Sequence, residues 1–114
     1  MLRRSVLCLI AALCAPAAAQ ERYSPFVPTE ESDVTRMLNL ARVGAGDVVM
    51  DLGSGDGRIV LEAARMNKEA RGRGIEMDPR LVAESNAKAK SAGLADRVQI
   101  LHQNAFDADL SQRP

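Results

Sequence analysis

Three glycines at alternate positions, Gly53, Gly55 and Gly57, separate an apolar run from a helix-like run in VVMDLGSGDGRIVLEAAR, Val48 to Arg65. This loop constrains the fold more than any other feature. It leaves the backbone bare between a strand and a helix, so a ligand can approach it closely. The helix amides just beyond it attract an anionic group. Asp47 to Leu52 (DVVMDL) reads as a short buried strand, and Gly57 to about Ala70 as a helix burying Ile59, Val60, Ala63, Ala64 and Met66. Gly72 to Met77 reads as a second strand. Asp78-Pro79 opens a further helix, an N-cap with proline at the first helical position. That helix runs to about Ser91 with Leu81, Val82, Ser85 and Ala89 along one face, and Gly93 closes it. Arg97 to Leu101 (RVQIL) is a third strand. Strand, helix, strand, helix, strand at this spacing predicts an α/β fold with parallel strands joined by right-handed crossovers. Ligands in such sheets bind at the carboxyl ends of the strands. Asp51 to Gly57, Glu76-Met77 and Asn104-Ala105 fall at those ends.

Upstream, Val34, Met37, Leu38 and Ala41 recur at helical spacing. Thr29 is the expected N-cap, with Glu30, Glu31 and Asp33 near the positive end of the helix dipole. Gly44 or Gly46 is the expected terminator. Gln20 to Pro28 (QERYSPFVP) has two prolines and reads as an extended arm. Residues 1–19 read as a secretory signal peptide: Arg3 and Arg4, an uncharged run from Ser5 to Ala19, then Ala17-Ala18-Ala19 as a small-x-small cleavage site. The run is shorter than the roughly 20 residues of a spanning helix. The expected organisation is therefore a leader over 1–19, an arm over 20–28 and a single domain over 29–114, exported or periplasmic, with a retained membrane anchor as the alternative.

Both cysteines, Cys8 and Cys14, lie in the leader, so a chain cleaved after Ala19 has no disulfide and no thiolate metal site. No metal site is expected. The chain holds 15 basic and 15 acidic residues, and its aromatics are Tyr23, Phe26 and Phe106. Neither the charge nor the aromatic content suits a nucleic-acid surface, and no nucleic-acid partner is expected. Membrane contact is expected only if the leader is retained.

Two ligand classes fit the loop, a dinucleotide through its pyrophosphate and S-adenosylmethionine through its methionine end. The dinucleotide fingerprint is G-x-G-x-x-G. Here the third glycine comes one residue early and Arg58 occupies the expected position. Asp51 weighs more. A carboxylate there repels a pyrophosphate but favours an ammonium and a sulfonium. Glu76, 25 residues on, suits ribose hydroxyls in either class.

DLGSGDG, GIEMDP and RVQILHQNAF resemble motifs I, II and III of the class I S-adenosylmethionine-dependent methyltransferases. The stretch from Ser24 to Ala64 is similar to a subgroup related to the lysine methyltransferases of the ATP synthase c-subunit and the adenine nucleotide translocase. The resemblance covers most of Pro25 to Leu110. It implies a Rossmann-like methyltransferase fold, here the N-terminal half with three parallel strands, and S-adenosyl-L-methionine as cofactor. By position it implies that Asp51 holds the methionine amino end, that Gly53, Ser54, Gly55 and Gly57 form the loop beneath the cofactor, that Glu76 binds the ribose and that Met77 packs on the adenine. Asn104 would face the adenine amino group with Ala105 beside it. The family usually has aspartate at that place, so weaker binding is expected, since an amide oxygen still accepts.

The resemblance also implies a seven-stranded sheet whose fourth strand carries acceptor-orienting residues. Those lie past Pro114, so no catalytic residue is identified, the chain reads as an N-terminal fragment, and little or no methyl transfer is expected from it alone. The expected acceptor is a protein lysine or a small molecule. Competing readings are a dinucleotide-dependent oxidoreductase half-domain and an exported binding or interaction module without chemistry. At single residues the plainer roles are a loop cap for Asp56, a solvent-exposed helix position for Arg58, an N-cap for Asp78 and a strand-end surface site for His102.

Overall fold

The computed structural model describes residues 25–111. The leader and most of the arm lie outside the described residues. The elements are α1 (Glu31–Leu40), β1 (Val48–Leu52), α2 (Arg58–Met66), β2 (Arg71–Glu76), α3 (Pro79–Ser91), β3 (Val98–His102) and the short 3₁₀ helix η1 (Ala105–Asp107). The strands form one sheet in the order β1-β2-β3, all parallel. Among the described residues, no helix is long and apolar enough to cross a membrane.

Register explains which side chains share a face. Val49 pairs with Gly72 and Asp51 with Gly74, while Gly72 and Gly74 pair with Val98 and Ile100. Residues paired in a parallel sheet point the same way, so these positions form the helix-facing side. Val60, Leu61 and Ala64 of α2, Ala89 of α3, Leu94, Val98 and Ile100 make the main core there, with Val49 packed against it. A second cluster joins Val34 and Leu38 of α1 to Ala63 of α2. Burying Val60 and Leu61 stabilises by about 1.5–3 kcal/mol each. The exposed Arg65–Glu62 pair at 3.9 Å contributes far less.

Two glycines of β2 let this face close. A methyl on Gly72 would lie 2.7 Å from Val60 Cβ and 2.8 Å from its carbonyl oxygen, and one on Gly74 would meet the Ser54 side chain. The sheet is therefore thinnest where α2 and the glycine loop lie on it.

Several boundaries differ from the sequence expectation, each for a local reason. The N-cap of α1 is Glu30, whose carbonyl accepts from Asp33 N and Val34 N at 3.0 Å each, and not Thr29. The helix ends before either glycine. Ala41 is its C-cap and Arg42 takes the left-handed position at φ 52°. Arg42 N donates to Asn39 O and Val43 N to Leu38 O, the two bonds of a Schellman motif, with Val43 packed against the cluster holding Leu38. α2 stops at Met66, short of Ala70, because the Asn67 side chain accepts from Glu69 N at 2.9 Å and turns the chain. Arg97 Nη1 then donates to the carbonyls of Ala64, Asn67 and Ala70 and closes that end. Met66, past the last buried turn, is exposed, and Leu61 takes a buried place instead.

α3 follows the expectation closely. Asp78 caps it by accepting from Arg80 N at 2.9 Å, and Gly93 ends it at φ 71°. Gly93 N bonds Lys90 O, and Leu94 N bonds Ala89 O. Asn86 on α3 pairs its amide with both Ile100 N and Ile100 O, covering the outer edge of β3.

Candidate cofactor site

The glycine loop turns out of β1 in three left-handed steps, at φ 80° for Gly53, 57° for Gly55 and 79° for Gly57. A side chain at any of them would be strained. Gly53 N and Ser54 N both donate to Ile75 O, at 2.8 and 3.0 Å, so the first turn is tied to the end of β2. Ser85 on α3, fully buried, sets its hydroxyl 2.6 Å from Leu81 O and 3.1 Å from Gly55 O. The loop is thus held from below by both neighbouring elements.

Above it lies a cleft of about 670 Å³. Gly53, Ser54 and Gly55 line it, with Asp51, Glu76, Met77, Asn104 and Ala105 from the three strand ends. Gly57 is set back from it, serving as the left-handed N-cap of α2 against Ser85. Ser54 lines the cleft but is only 5% exposed, and its hydroxyl is buried without a hydrogen-bond partner among the described residues.

Asp51 and Glu76 bring two neighbouring carboxylates to the cleft. Burial pushes the Asp51 carboxyl above its ordinary value, and the neighbouring Glu76 adds to the push. Glu76 is fixed by three backbone amides. Its Oε2 accepts from Gly55 N at 2.8 Å, and its Oε1 from Met77 N and Asp78 N at 2.9 Å each. A carboxylate offers about four acceptor positions, so as it stands Glu76 has room for about one further donor. At the end of β3, Asn104 caps η1 by accepting from Phe106 N at 2.9 Å. His102 is exposed, as expected, with Nε2 2.9 Å from Met77 O.

The structure also brings to the cleft residues beyond that set: Phe26 of the arm, Thr29 just after it, Arg58, and Gln103, whose N–H donates to Glu76 O. Arg58 is more than a solvent-exposed helix position. Its Nε and Nη2 grip Asp56 at 3.0 and 2.8 Å, while its Nη1 donates to Thr29 O at 2.8 Å. Asp56 also accepts from Arg58 N at 3.2 Å, the loop cap expected of it. The hydrogen bonds from Arg58 hold the Asp56 carboxyl below its ordinary value. The signal in the sequence was the run of acid, glycine and arginine, but its partner Thr29 lies 29 residues upstream. Among the described residues, no group of three or more His, Cys, Asp or Glu could hold a metal ion.

Comparison with known proteins gives a consistent picture. The chain is 39% identical over 88 residues to a protein-lysine N-methyltransferase of Saccharolobus islandicus, covering 77% of this chain and 55% of that protein. It is 37% identical over 93 residues to an ATP synthase c-subunit lysine N-methyltransferase of Caenorhabditis elegans, covering 76% and 48%. The chain spans about half the length of these curated relatives. Among solved structures, an RNA methyltransferase from Salinibacter ruber in complex with S-adenosyl-L-homocysteine superposes with a TM-score of 0.72 at 54% identity, covering 75% of this chain and 55% of that one. An S-adenosylmethionine-dependent methyltransferase from Geobacter sulfurreducens, also with S-adenosyl-L-homocysteine, gives 0.60 at 32% identity, covering 76% and 33%. Residues 51–113, from the acid at the end of β1 through η1, match the ANTKMT methyltransferase domain, and the chain belongs to that family.

Proposed function

We propose that this chain forms the S-adenosylmethionine-binding part of a protein-lysine N-methyltransferase. The observation that carries the reading is the pairing of a bare loop with two carboxylates on one cleft. Gly53 leaves the backbone open to a ligand, with nothing within 4 Å of its bare side, and Asp51 stands beside it as an acid destabilised by burial and by Glu76. A cation at that end relieves both effects, whereas a pyrophosphate adds a third negative group. A cleft of about 670 Å³ is ample for a nucleoside cofactor.

In this reading Asp51 holds the ammonium end, the Gly53–Gly55 backbone supports the methionine portion and Glu76 takes the ribose. Met77, Asn104 and Ala105 surround the adenine. A grip by Glu76 on both ribose hydroxyls requires the Gly55 N–H to let go of Oε2. When bound, the cofactor supplies an electrophilic methyl group on a sulfonium. The work of these residues is to position it and to keep water from it.

A lysine acceptor is favoured by the names of the Saccharolobus and Caenorhabditis relatives. The description of the Salinibacter structure favours RNA, and the balance of 15 basic against 15 acidic residues weighs against it. Calorimetric titration with S-adenosylhomocysteine beside NAD tests the cofactor. Binding of the first alone, lost in Gly55→Val, is the expected result, and tighter binding of NAD refutes it. Incubation with methyl-labelled cofactor and separate protein and RNA acceptors tests the substrate class. Label recovered as methyl-lysine supports the reading, and label in RNA overturns it.

A further inference from the structure

Among the described residues, the segment ahead of α1 meets the domain at the cleft. Phe26 lies on the bare side of Gly55. A Cβ built there would stand 2.7 Å from the Phe26 Cδ2 atom and closer still to Cε2, so only glycine admits the ring. Pro25 and Pro28 flank it and stiffen the arm by fixing two φ angles. Neither hydrophobic core cluster includes an arm residue, and Val27 is 81% exposed. A polar link holds the arm instead, the Arg58 Nη1 bond to Thr29 O, with Arg58 itself fixed on Asp56.

The ring is a wall of the cleft and not a plug in it. About 670 Å³ remains open with Phe26 in place, and Phe26 lines that volume together with Gly53, Gly55 and Asp51. Phe26 is still 45% exposed, a large apolar surface left uncovered beside a loop built for close approach. We infer that Phe26 is a cofactor-binding residue, that the arm closes over the bound cofactor through it, and that Arg58 is the positioning residue that straps the arm down. This rests on the cofactor reading above. Its consequence is kinetic: apolar area buried only in the complex slows departure of the cofactor more than it speeds arrival.

The test is stopped-flow and calorimetric binding of S-adenosylhomocysteine to the full chain and its variants. Phe26→Ala is expected to raise the dissociation rate about tenfold, the worth of covering roughly half a phenylalanine ring, with the association rate little changed. Phe26→Leu, which keeps most of the apolar area, recovers most of the loss. Arg58→Met raises the dissociation rate similarly, and the double variant is no worse than Phe26→Ala, because both act through the same closure. The melting temperature of ligand-free Phe26→Ala stays that of the parent, which separates a binding role from a folding one. Equal dissociation rates in parent and Phe26→Ala overturn the inference while leaving the cofactor reading intact. Tighter binding by Phe26→Ala makes the ring a plug and overturns it too. A parent chain that binds no S-adenosylhomocysteine removes the cofactor reading and this inference with it.

Discussion

Burial and Glu76 both push the Asp51 carboxyl up, so the folded chain holds that proton more tightly than the unfolded chain does. The sign follows from linkage. Asp51 contributes most to stability below its unfolded value of about 3.9, loses that contribution as pH rises through its higher folded value, and is flat beyond it. In the proposed reading ligand binding runs the other way, since a cationic group needs the carboxylate. Asp51→Asn should therefore unfold at a higher urea midpoint than the parent at neutral pH, yet bind S-adenosylhomocysteine about 30-fold more weakly, for loss of a charge-assisted contact worth ~2 kcal/mol. The affinity of the parent should fall as pH drops through the folded value of Asp51, and that of Asp51→Asn should not. Calorimetry across pH checks both, and a destabilised Asp51→Asn would make the residue structural. The places of Asp51 and Glu76 were legible in sequence because the glycine loop after one strand and the Asp78-Pro79 helix start after the next fix where each strand ends. Phe26, Arg58 and Ser85 were not. Their roles depend on contacts spanning about 30 residues, which no local pattern carries.

Two helices end by the same pair of backbone bonds, but only one announces it. α3 places Gly93 in the left-handed position, and that stop was readable. α1 places Arg42 there, with two glycines just downstream drawing attention away. The side chain of Arg42 costs about 1 kcal/mol in that conformation, which the packing of Val43 offsets. Arg42→Gly should raise unfolding stability by roughly 0.5–1 kcal/mol, measured by urea titration; a loss would mean that the Arg42 side chain contributes more than its strain. β2 presents the opposite case. In GRGIEM the glycines weaken a strand by propensity, yet they admit Val60 and Ser54 to the sheet. Gly72→Ala should destabilise by about 1–3 kcal/mol, the cost of overpacking against a helix backbone that cannot move aside. A neutral Gly72→Ala would show that α2 slides freely on β2. Strand order and helix faces were thus legible from period and spacing, whereas close approach was not, because a glycine looks the same whether it bends the chain or makes room.

At the scale of the molecule, the sheet has one helix-covered face and two unequal edges. Both core clusters lie on the helix side, and among the described residues no helix packs on the opposite face, where Arg71, Arg73 and Gln99 sit among Met50, Leu52 and Leu101 and where Ile75 is the buried strand residue. At the β3 edge the outward amide and carbonyl of Ile100 are taken by Asn86. At the β1 edge no strand pairs among the described residues, no residue of β1 is fully buried, and Leu52 is 46% exposed. Gly53 N points to β2, so by alternation the amides of Asp51 and Val49 do also, and those of Val48, Met50 and Leu52 point outward. Hydrogen exchange should read this asymmetry directly. The outward amides of β1 should exchange at least about tenfold faster than Val49 and Asp51, while Ile100 stays protected. Adding S-adenosylhomocysteine should then slow Gly53 without slowing Met50, because in the proposed reading the ligand covers the loop and not the strand edge. Slow exchange at Val48, Met50 and Leu52 in the free chain would show that the β1 edge is paired in solution, and that the sheet is wider than three strands.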